Sequence, residues 1–204
     1  MVSGENSWFG TGIDSYGVII SGRRVAAPDR AQRYIETVKI PFNKPYMTGK
    51  ELWYISQAHA NGHLASDGVF TRQCNAWLER RIGCNRALLT HSCTAALEMG
   101  AILADLEPGD EVIMPSYTFV STANAFVLRG AKPVFADIRE DTLNIDESRL
   151  EALITPRTKA LVVMHYGGVG CEMDAILEIA RRHDLHVVED NAHGLFGRYR
   201  GQPL

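Results

Sequence analysis

Residues 187–194 have the sequence Val187-Val188-Glu189-Asp190-Asn191-Ala192-His193-Gly194. Two β-branched residues lead into an acid, a short polar turn and a glycine, which predicts a buried strand with Asp190 at its carboxyl end. Ligands of open α/β sheets bind at the carboxyl ends of the strands. Asp also commonly caps helices and begins turns, so this stretch alone leaves two interpretations of Asp190 open.

Upstream of this stretch, short apolar runs alternate with helical runs. The pattern predicts strands at Arg86–Thr90, Glu111–Met114, Pro133–Asp137, Lys159–Met164 and Leu185–Glu189. It predicts helices at Lys50–Ala60, Gly68–Ile82, Thr94–Leu106, Tyr117–Arg129, Asp146–Ile154 and Glu172–His183. Such alternation is typical of right-handed βαβ crossovers. We therefore expect an α/β fold with a mostly parallel sheet and helices on both faces.

The composition is that of a globular protein. The chain has 204 residues, of which 46% are hydrophobic, and 21 basic against 24 acidic residues give a net charge of -3. Neither sign of charge forms a long run, so we expect no nucleic-acid partner and no membrane partner. The cysteines are widely spaced without a CxxC pair, which favours a reduced, cytoplasmic compartment. They are Cys74, Cys84, Cys93 and Cys171.

The first 39 residues lack the hydrophobic periodicity of the rest of the chain. The apolar run Gly17–Ile20 is too short for a signal sequence or a membrane span, and Arg30–Glu36 predicts a short helix. We expect residues 1–39 to be a poorly ordered extension of unknown role and residues 40–204 to form the folded region. Prolines in Pro41–Pro45 predict an extended arm at its start.

Two predicted strand ends carry groups that suit a phosphate and a planar ring. After the first strand, a short turn leads into the Ala-rich helix at Thr94–Leu106, so the hydroxyls of Ser92 and Thr94 and free backbone N–H groups converge there. An ordinary Ser/Thr helix cap is the alternative. After the next strand, Tyr117 and Phe119 could stack on a flat ring, or could simply belong to the core.

Asp190 and His193 complete this set. A carboxylate facing a ring nitrogen keeps that nitrogen protonated and makes the ring an electron sink. A phosphate cup, an aromatic face and a carboxylate at one edge of a sheet together describe a site for pyridoxal 5'-phosphate. No metal site is expected, since His59 and His63 flank Asn61-Gly62, which would end the helix between them.

Several motifs, in order along the chain, resemble the DegT/StrS family of sugar-nucleotide aminotransferases. The resemblance spans about residues 40–204 and leaves residues 1–39 outside. It rests on Gly109–Ala125, Val134–Asp137, Asn144–Asp146, His165–Gly168, Cys171–Asp174 and Val188–Asp190.

The resemblance implies the large domain of a fold-type-I, pyridoxal-phosphate-dependent transferase that works as a homodimer. It implies that Thr94 and Ala95 hold the phosphate, that Phe119 stacks on the ring, that Asp190 pairs with the pyridine nitrogen, and that His193 stands near the phenolic oxygen. Asn191 departs from the family, which usually has Ala there.

The implied reaction moves an amino group from glutamate, which leaves as 2-oxoglutarate, to the C4 ketone of a dTDP-4-keto-6-deoxyhexose. The implied setting is bacterial surface-polysaccharide synthesis, as for enterobacterial common antigen. The family's Schiff-base lysine is expected beyond Leu204, because Lys39, Lys44, Lys50, Lys132 and Lys159 match none of its places. We therefore expect the chain to be an amino-terminal part, truncated before the carboxyl-terminal domain, that binds the cofactor weakly and does not transaminate alone.

Other functions depend on specific residues. A dinucleotide-binding dehydrogenase would need G-x-G-x-x-G after the first strand, where the chain has His91-Ser92-Cys93, and Gly167–Gly170 has the wrong spacing. A sugar dehydratase of the same family, with a histidine in place of the lysine, and a noncatalytic fragment remain alternatives.

Overall fold

A computed structural model describes residues 41 and 43–204 of the chain. The expectations for residues 1–39, including the helix at Arg30–Glu36, lie outside the described residues. The chain divides into two compact units, residues 1–52 and 53–204. In the described part of the first unit, the carboxylate of Glu51 accepts hydrogen bonds from the N–H (2.6 Å) and the hydroxyl (2.8 Å) of Thr48. This capping contact precedes the first helix.

Two helices come before the sheet. Helix α1 spans Glu51–Ala60 and α2 spans Val69–Ile82. Helix α2 ends at Gly83, whose φ of 82° closes the helix with a hydrogen bond to the carbonyl of Glu79. An apolar groove of about 730 Å³ is lined by residues of both helices and by two residues from later in the chain. Its aromatic lining residues are Tyr54, Phe70 and Trp77.

The predicted strand at Arg86–Thr90 is wrong, because the structure has no strand there. Side chains of α2 take up its backbone donors instead: the Ala87 N–H donates to Glu79 at 3.2 Å and the Leu89 N–H donates to Asn75 at 2.9 Å. A segment whose N–H groups bond to side chains has no need of a neighbouring strand.

The later elements follow the predicted alternation. The helices are α3 Cys93–Leu103, α4 Val120–Val127, the single-turn α5 Glu147–Leu150 and α6 Met173–Arg182. The strands are β1 Glu111–Pro115, β2 Lys132–Ala136, β3 Thr158–Met164 and β4 His186–Asp190. The helix predicted at Asp146–Ile154 is α5 followed directly by a 3-10 turn at Glu151–Leu153. A 3-10 turn at Tyr166–Gly168 and a hairpin of β5 Arg198–Tyr199 with β6 Gln202–Pro203 were not predicted. Over residues 43–204, no helix combines the length and the apolar character needed to cross a bilayer.

Strands β1 to β4 form one parallel sheet in the order β2-β1-β3-β4. Side chains alternate across it, so Val112 and Met114 pack with α3 and α4, whereas Ile113 packs with α5 and α6 on the other face. The expected α/β fold, a parallel sheet with helices on both faces, is confirmed. Because the strands are parallel, all their carboxyl ends lie at one edge.

The opposite, amino edge of the sheet is closed by a polar network around Glu111. This carboxylate is 3% exposed and accepts from the hydroxyl of Thr155 (2.7 Å), from Arg157 (2.8 Å) and from Lys132 (3.3 Å). The Thr155 hydroxyl first, and then the two cations, lower the pKa of Glu111 to about 2. Glu111 therefore stays ionised at any ordinary pH.

Candidate functional site

Asp190 is the last residue of β4 and is 3% exposed. Its Oδ2 accepts from the hydroxyl of Thr122 at 2.7 Å. Its Oδ1 accepts from the N–H of Ala192 at 3.2 Å and faces the thiol of Cys93 at 3.6 Å. Three segments thus meet at one buried carboxylate: one follows the predicted first strand, one follows β1 and one follows β4. A buried carboxylate needs such donors, since an unpaired buried charge is costly.

The turn before α3 has the predicted hydroxyls and also a true helix cap. The Oγ of Ser92 accepts from the N–H of Ala95 at 3.1 Å, so the N–H of Ala95 is already engaged. The N–H groups of Cys93 and Thr94 have no acceptor among residues 43–204. Two free N–H groups at the positive end of a helix dipole favour an anion.

The aromatic side chains near this edge are not core residues. Phe119 is 67% exposed and Tyr117 is 43% exposed, which excludes the interpretation of both as core. Phe119 immediately precedes α4, and its carbonyl accepts from the N–H of Thr122 at 3.0 Å. Through Thr122, Phe119 therefore lies within one helical turn of the residue that holds Asp190.

His193 is held by the turn that follows β3. Its Nδ1 accepts from the N–H of Gly167 at 3.2 Å, and its ring lies edge-on to Tyr166 at a centroid distance of 5.3 Å. Because Nδ1 accepts, a neutral His193 carries its proton on Nε2. Glycine is favoured at position 168, since its φ is 82° and a Cβ would lie 3.1 Å from the carbonyl oxygen of His193. The glycines that resembled a dinucleotide motif in sequence thus position a histidine.

A second polar pair, formed by a buried histidine and an exposed glutamate, lies on the other face of β4. His165, fully buried, bonds through Nε2 to Glu189 at 2.9 Å, while its Nδ1 accepts from the N–H of Cys171 at 3.1 Å. The N–H of His165 also donates to the carbonyl of Asp190 at 3.1 Å. These bonds tie the end of β3 to the end of β4 and fix the strand that carries Asp190.

The structure brings the predicted Ser92, Thr94 and Ala95 turn to Asp190 through the adjacent Cys93, and Phe119 to it through Thr122. Thr122, Cys93 and Tyr166 were not predicted from the sequence as site residues. For Thr122, the usable signal is its spacing of four from Thr118, which puts both hydroxyls on one face of the helix predicted at Tyr117–Arg129. In the structure Thr118 lies just before α4, and its hydroxyl still contacts that of Thr122. The lysines of the sheet, Lys132 and Lys159, belong to the amino ends of β2 and β3, away from Asp190.

Comparisons with known proteins identify relatives for this arrangement. The sequence pattern of the DegT/DnrJ/EryC1/StrS aminotransferase family matches residues 45–204. The spore coat polysaccharide biosynthesis protein SpsC of Bacillus subtilis (strain 168) is 44% identical over 161 residues, which are 79% of this chain and 41% of SpsC.

Solved structures agree with this match. The putative sugar aminotransferase Spr1654 of Streptococcus pneumoniae, in its PLP form, superposes with a TM-score of 0.76 at 29% identity over 81% of this chain and 46% of that one. DesI, solved in the presence of its TDP-sugar product, gives a TM-score of 0.69 at 35% identity over 74% of this chain and 38% of that one. The chain therefore spans less than half the length of these relatives.

Proposed function

The chain belongs to the DegT/DnrJ/EryC1/StrS aminotransferase family, and from this premise we propose that the protein aminates a nucleotide sugar with pyridoxal phosphate as cofactor. The proposed reaction transfers the amino group of glutamate to the C4 ketone of a dTDP-4-keto-6-deoxyhexose. The similarity to SpsC, a polysaccharide biosynthesis protein, supports a role in polysaccharide synthesis, and the TDP-sugar product of DesI supports a thymidine nucleotide. By resemblance, the product is dTDP-4-amino-4,6-dideoxygalactose and the setting is enterobacterial common antigen synthesis.

The observation that carries the proposal is the buried carboxylate of Asp190 at the carboxyl edge, with donors on both of its oxygens. We assign it to the pyridine nitrogen of the cofactor. A carboxylate is the group that keeps that nitrogen protonated, and the protonated ring, when bound, supplies the electron sink for amino transfer. Burial strengthens such a charge pair because water does not screen it.

The other site residues fit the remaining parts of the cofactor. Ser92, Thr94 and Ala95 surround the amino end of α3, where the helix dipole and the free N–H groups suit a phosphate. The exposed ring of Phe119 is available to stack on the pyridine. His193 offers its Nε2–H, which can donate to the phenolic oxygen.

We further propose that residues 40–204 are part of the transferase large domain, that residues 1–39 are an extension, and that the complete protein is a cytoplasmic homodimer. Support for the compartment comes from the cysteines, all four of which are free thiols. A reducing compartment keeps thiols in this state.

Cofactor binding can be tested on these 204 residues with pyridoxamine 5'-phosphate, which needs no lysine to bind. We expect saturable binding by absorbance and fluorescence titration. Asp190→Asn should weaken binding about 10- to 150-fold, the range for losing a charge-assisted hydrogen bond. Asp137→Asn is the matched control, because Asp137 follows β2 at the same edge but is exposed. Absence of binding to the unmodified chain, or equal binding by Asp190→Asn, would contradict the proposal.

The reaction itself is tested on the product of the whole gene, because the 204 residues span less than half the length of the relatives that they match. We expect 2-oxoglutarate to form from glutamate only when a dTDP-4-keto-6-deoxyhexose is present, with a matching mass change of the nucleotide sugar. A dehydrated sugar without 2-oxoglutarate would instead indicate the dehydratase alternative.

A further inference from the structure

We propose that Thr122 is a positioning residue that, with Thr118 behind it and Cys93 beside it, holds the carboxylate of Asp190 in the orientation needed for the cofactor's ring nitrogen. This inference rests on the cofactor role proposed above and deepens it. Thr122 is fully buried, so no solvent water stands in for its hydroxyl.

The direction of the hydrogen bonds follows from the chemistry of the groups. An ionised carboxylate only accepts hydrogen bonds, so the hydroxyl of Thr122 donates its single proton to the Oδ2 of Asp190 at 2.7 Å. The 2.8 Å contact between the hydroxyls of Thr118 and Thr122 then has Thr118 as donor. The result is a directed chain from Thr118 through Thr122 to Asp190, in which each bond polarises the next.

The other oxygen of Asp190 is held from a different side. The N–H of Ala192 donates to Oδ1, and the thiol of Cys93 faces the same atom at 3.6 Å. Burial, and then the neighbouring charge of Asp190, raise the pKa of the Cys93 thiol, so it keeps its proton and can act as a weak donor. Rotation of the carboxylate would break bonds on both oxygens at once.

Loss of the Thr122 hydroxyl should therefore free one side of the carboxylate without removing its charge. Among residues 43–204, Thr122 is the only donor to Oδ2. A carboxylate that can turn away from the ring pairs less well with a protonated ring nitrogen, because such charge-assisted bonds depend on geometry. The effect should appear in the protonation of the cofactor as well as in its affinity.

The test compares Thr122→Val, which keeps the shape of the side chain, with Thr122→Ser, which keeps the hydroxyl. Each variant is loaded with pyridoxamine 5'-phosphate carrying 15N in the pyridine ring, and NMR gives the pH at which the bound nitrogen loses its proton. We expect Thr122→Val to lower this pH by about one to two units and Thr122→Ser to restore it. Ser121→Ala, a buried hydroxyl lost from the preceding position of α4, should leave it unchanged.

The outcomes separate this inference from the proposed function. If Thr122→Val binds the cofactor with the pH profile of the unmodified chain while Asp190→Asn does not, the positioning role is refuted and the cofactor site stands. If the unmodified chain binds no cofactor, both are refuted. Should Thr122→Val not fold, Thr118→Val serves instead, because it shortens the chain of hydroxyls and leaves every bond to Asp190 in place. It should lower the pH at which the bound nitrogen loses its proton by less than Thr122→Val would. The absence of any shift in Thr118→Val would overturn the proposal.

Discussion

Gly194 occupies a position where a single methyl group should be costly. A Cβ at this residue would overlap the side-chain oxygen of Asn191 and would lie 3.5 Å from a methyl of Leu204. That oxygen of Asn191 is itself buried and has no hydrogen-bond partner in the described chain. Asn191 stands where the family usually has Ala, and in the structure its side chain lies against the glycine three residues later.

The expected magnitudes follow from these contacts. Gly194→Ala overpacks a buried site and should lower the free energy of unfolding by about 1–3 kcal/mol. Asn191→Ala removes an unpaired buried oxygen, which relieves a cost of about 1–3 kcal/mol and offsets the lost contacts, so this variant should be at least as stable as the parent. In the double variant the methyl group enters the space that the amide leaves, and the Gly194→Ala penalty should nearly vanish.

The assay is a double-mutant cycle by urea unfolding, with thermal melts as a second measurement, where each kcal/mol corresponds to about 2–4 °C in a chain of this size. Gly100→Ala is the matched control: its Cβ would lie an ordinary 3.5 Å from Val188, and removing a glycine from α3 should raise stability by about 0.5–1 kcal/mol. A Gly194→Ala variant as stable as the parent, or a penalty that is the same with and without the Asn191 side chain, would refute this packing at Gly194.

Three further predictions concern other parts of the fold. Glu111 contributes stability above its unfolded pKa near 4.5, and this stability is lost as the pH falls toward its folded pKa of about 2. Glu111→Gln lacks this contribution, so between pH 5 and pH 2.5 the urea midpoint of the variant should fall less than that of the parent. Gly130→Ala should cost more than about 1 kcal/mol in a thermal melt, because φ is 82° and a Cβ would lie 3.0 Å from the Cα of Pro108; an unchanged midpoint would count against this geometry. Cys171 should resist iodoacetamide at pH 8, since burial raises the pKa of its thiol to about 12, whereas exposed Cys74 should react; equal labelling by mass spectrometry would be the contrary result.

The sheet was predictable from sequence because each strand is a short apolar run between polar turns. Arg86–Thr90 has the same local pattern yet forms no strand, since Glu79 and Asn75 bond to its N–H groups from a helix. A pattern within a segment does not show which distant side chain will satisfy that segment. The β5–β6 hairpin was missed because its turn at Arg200-Gly201 has an arginine at a φ of 47°, without the Asn-Gly signal that predicts such turns.

The position of Asp190 was predictable because the end of a parallel strand has a known place in the fold. The groups that hold it were not. Thr122 lies 68 residues away in sequence and Cys93 lies 97 residues away, and hydroxyl and thiol side chains are too common for either to be selected from sequence alone. Which neighbours meet a strand end depends on the packing of helices, and that is decided by the whole core.

The two faces of the sheet differ in how much sequence change they can tolerate. Val112, Met114, Val188 and Asp190 lie in the layer of α3 and α4, whereas Ile113, Val163 and Val187 lie in the layer of α5 and α6. Among the described residues, every hydrogen bond to the carboxylate of Asp190 comes from the first layer or from the turn that follows β4. Substitutions in the second layer can therefore change the stability of the fold without changing the hydrogen bonds that hold Asp190.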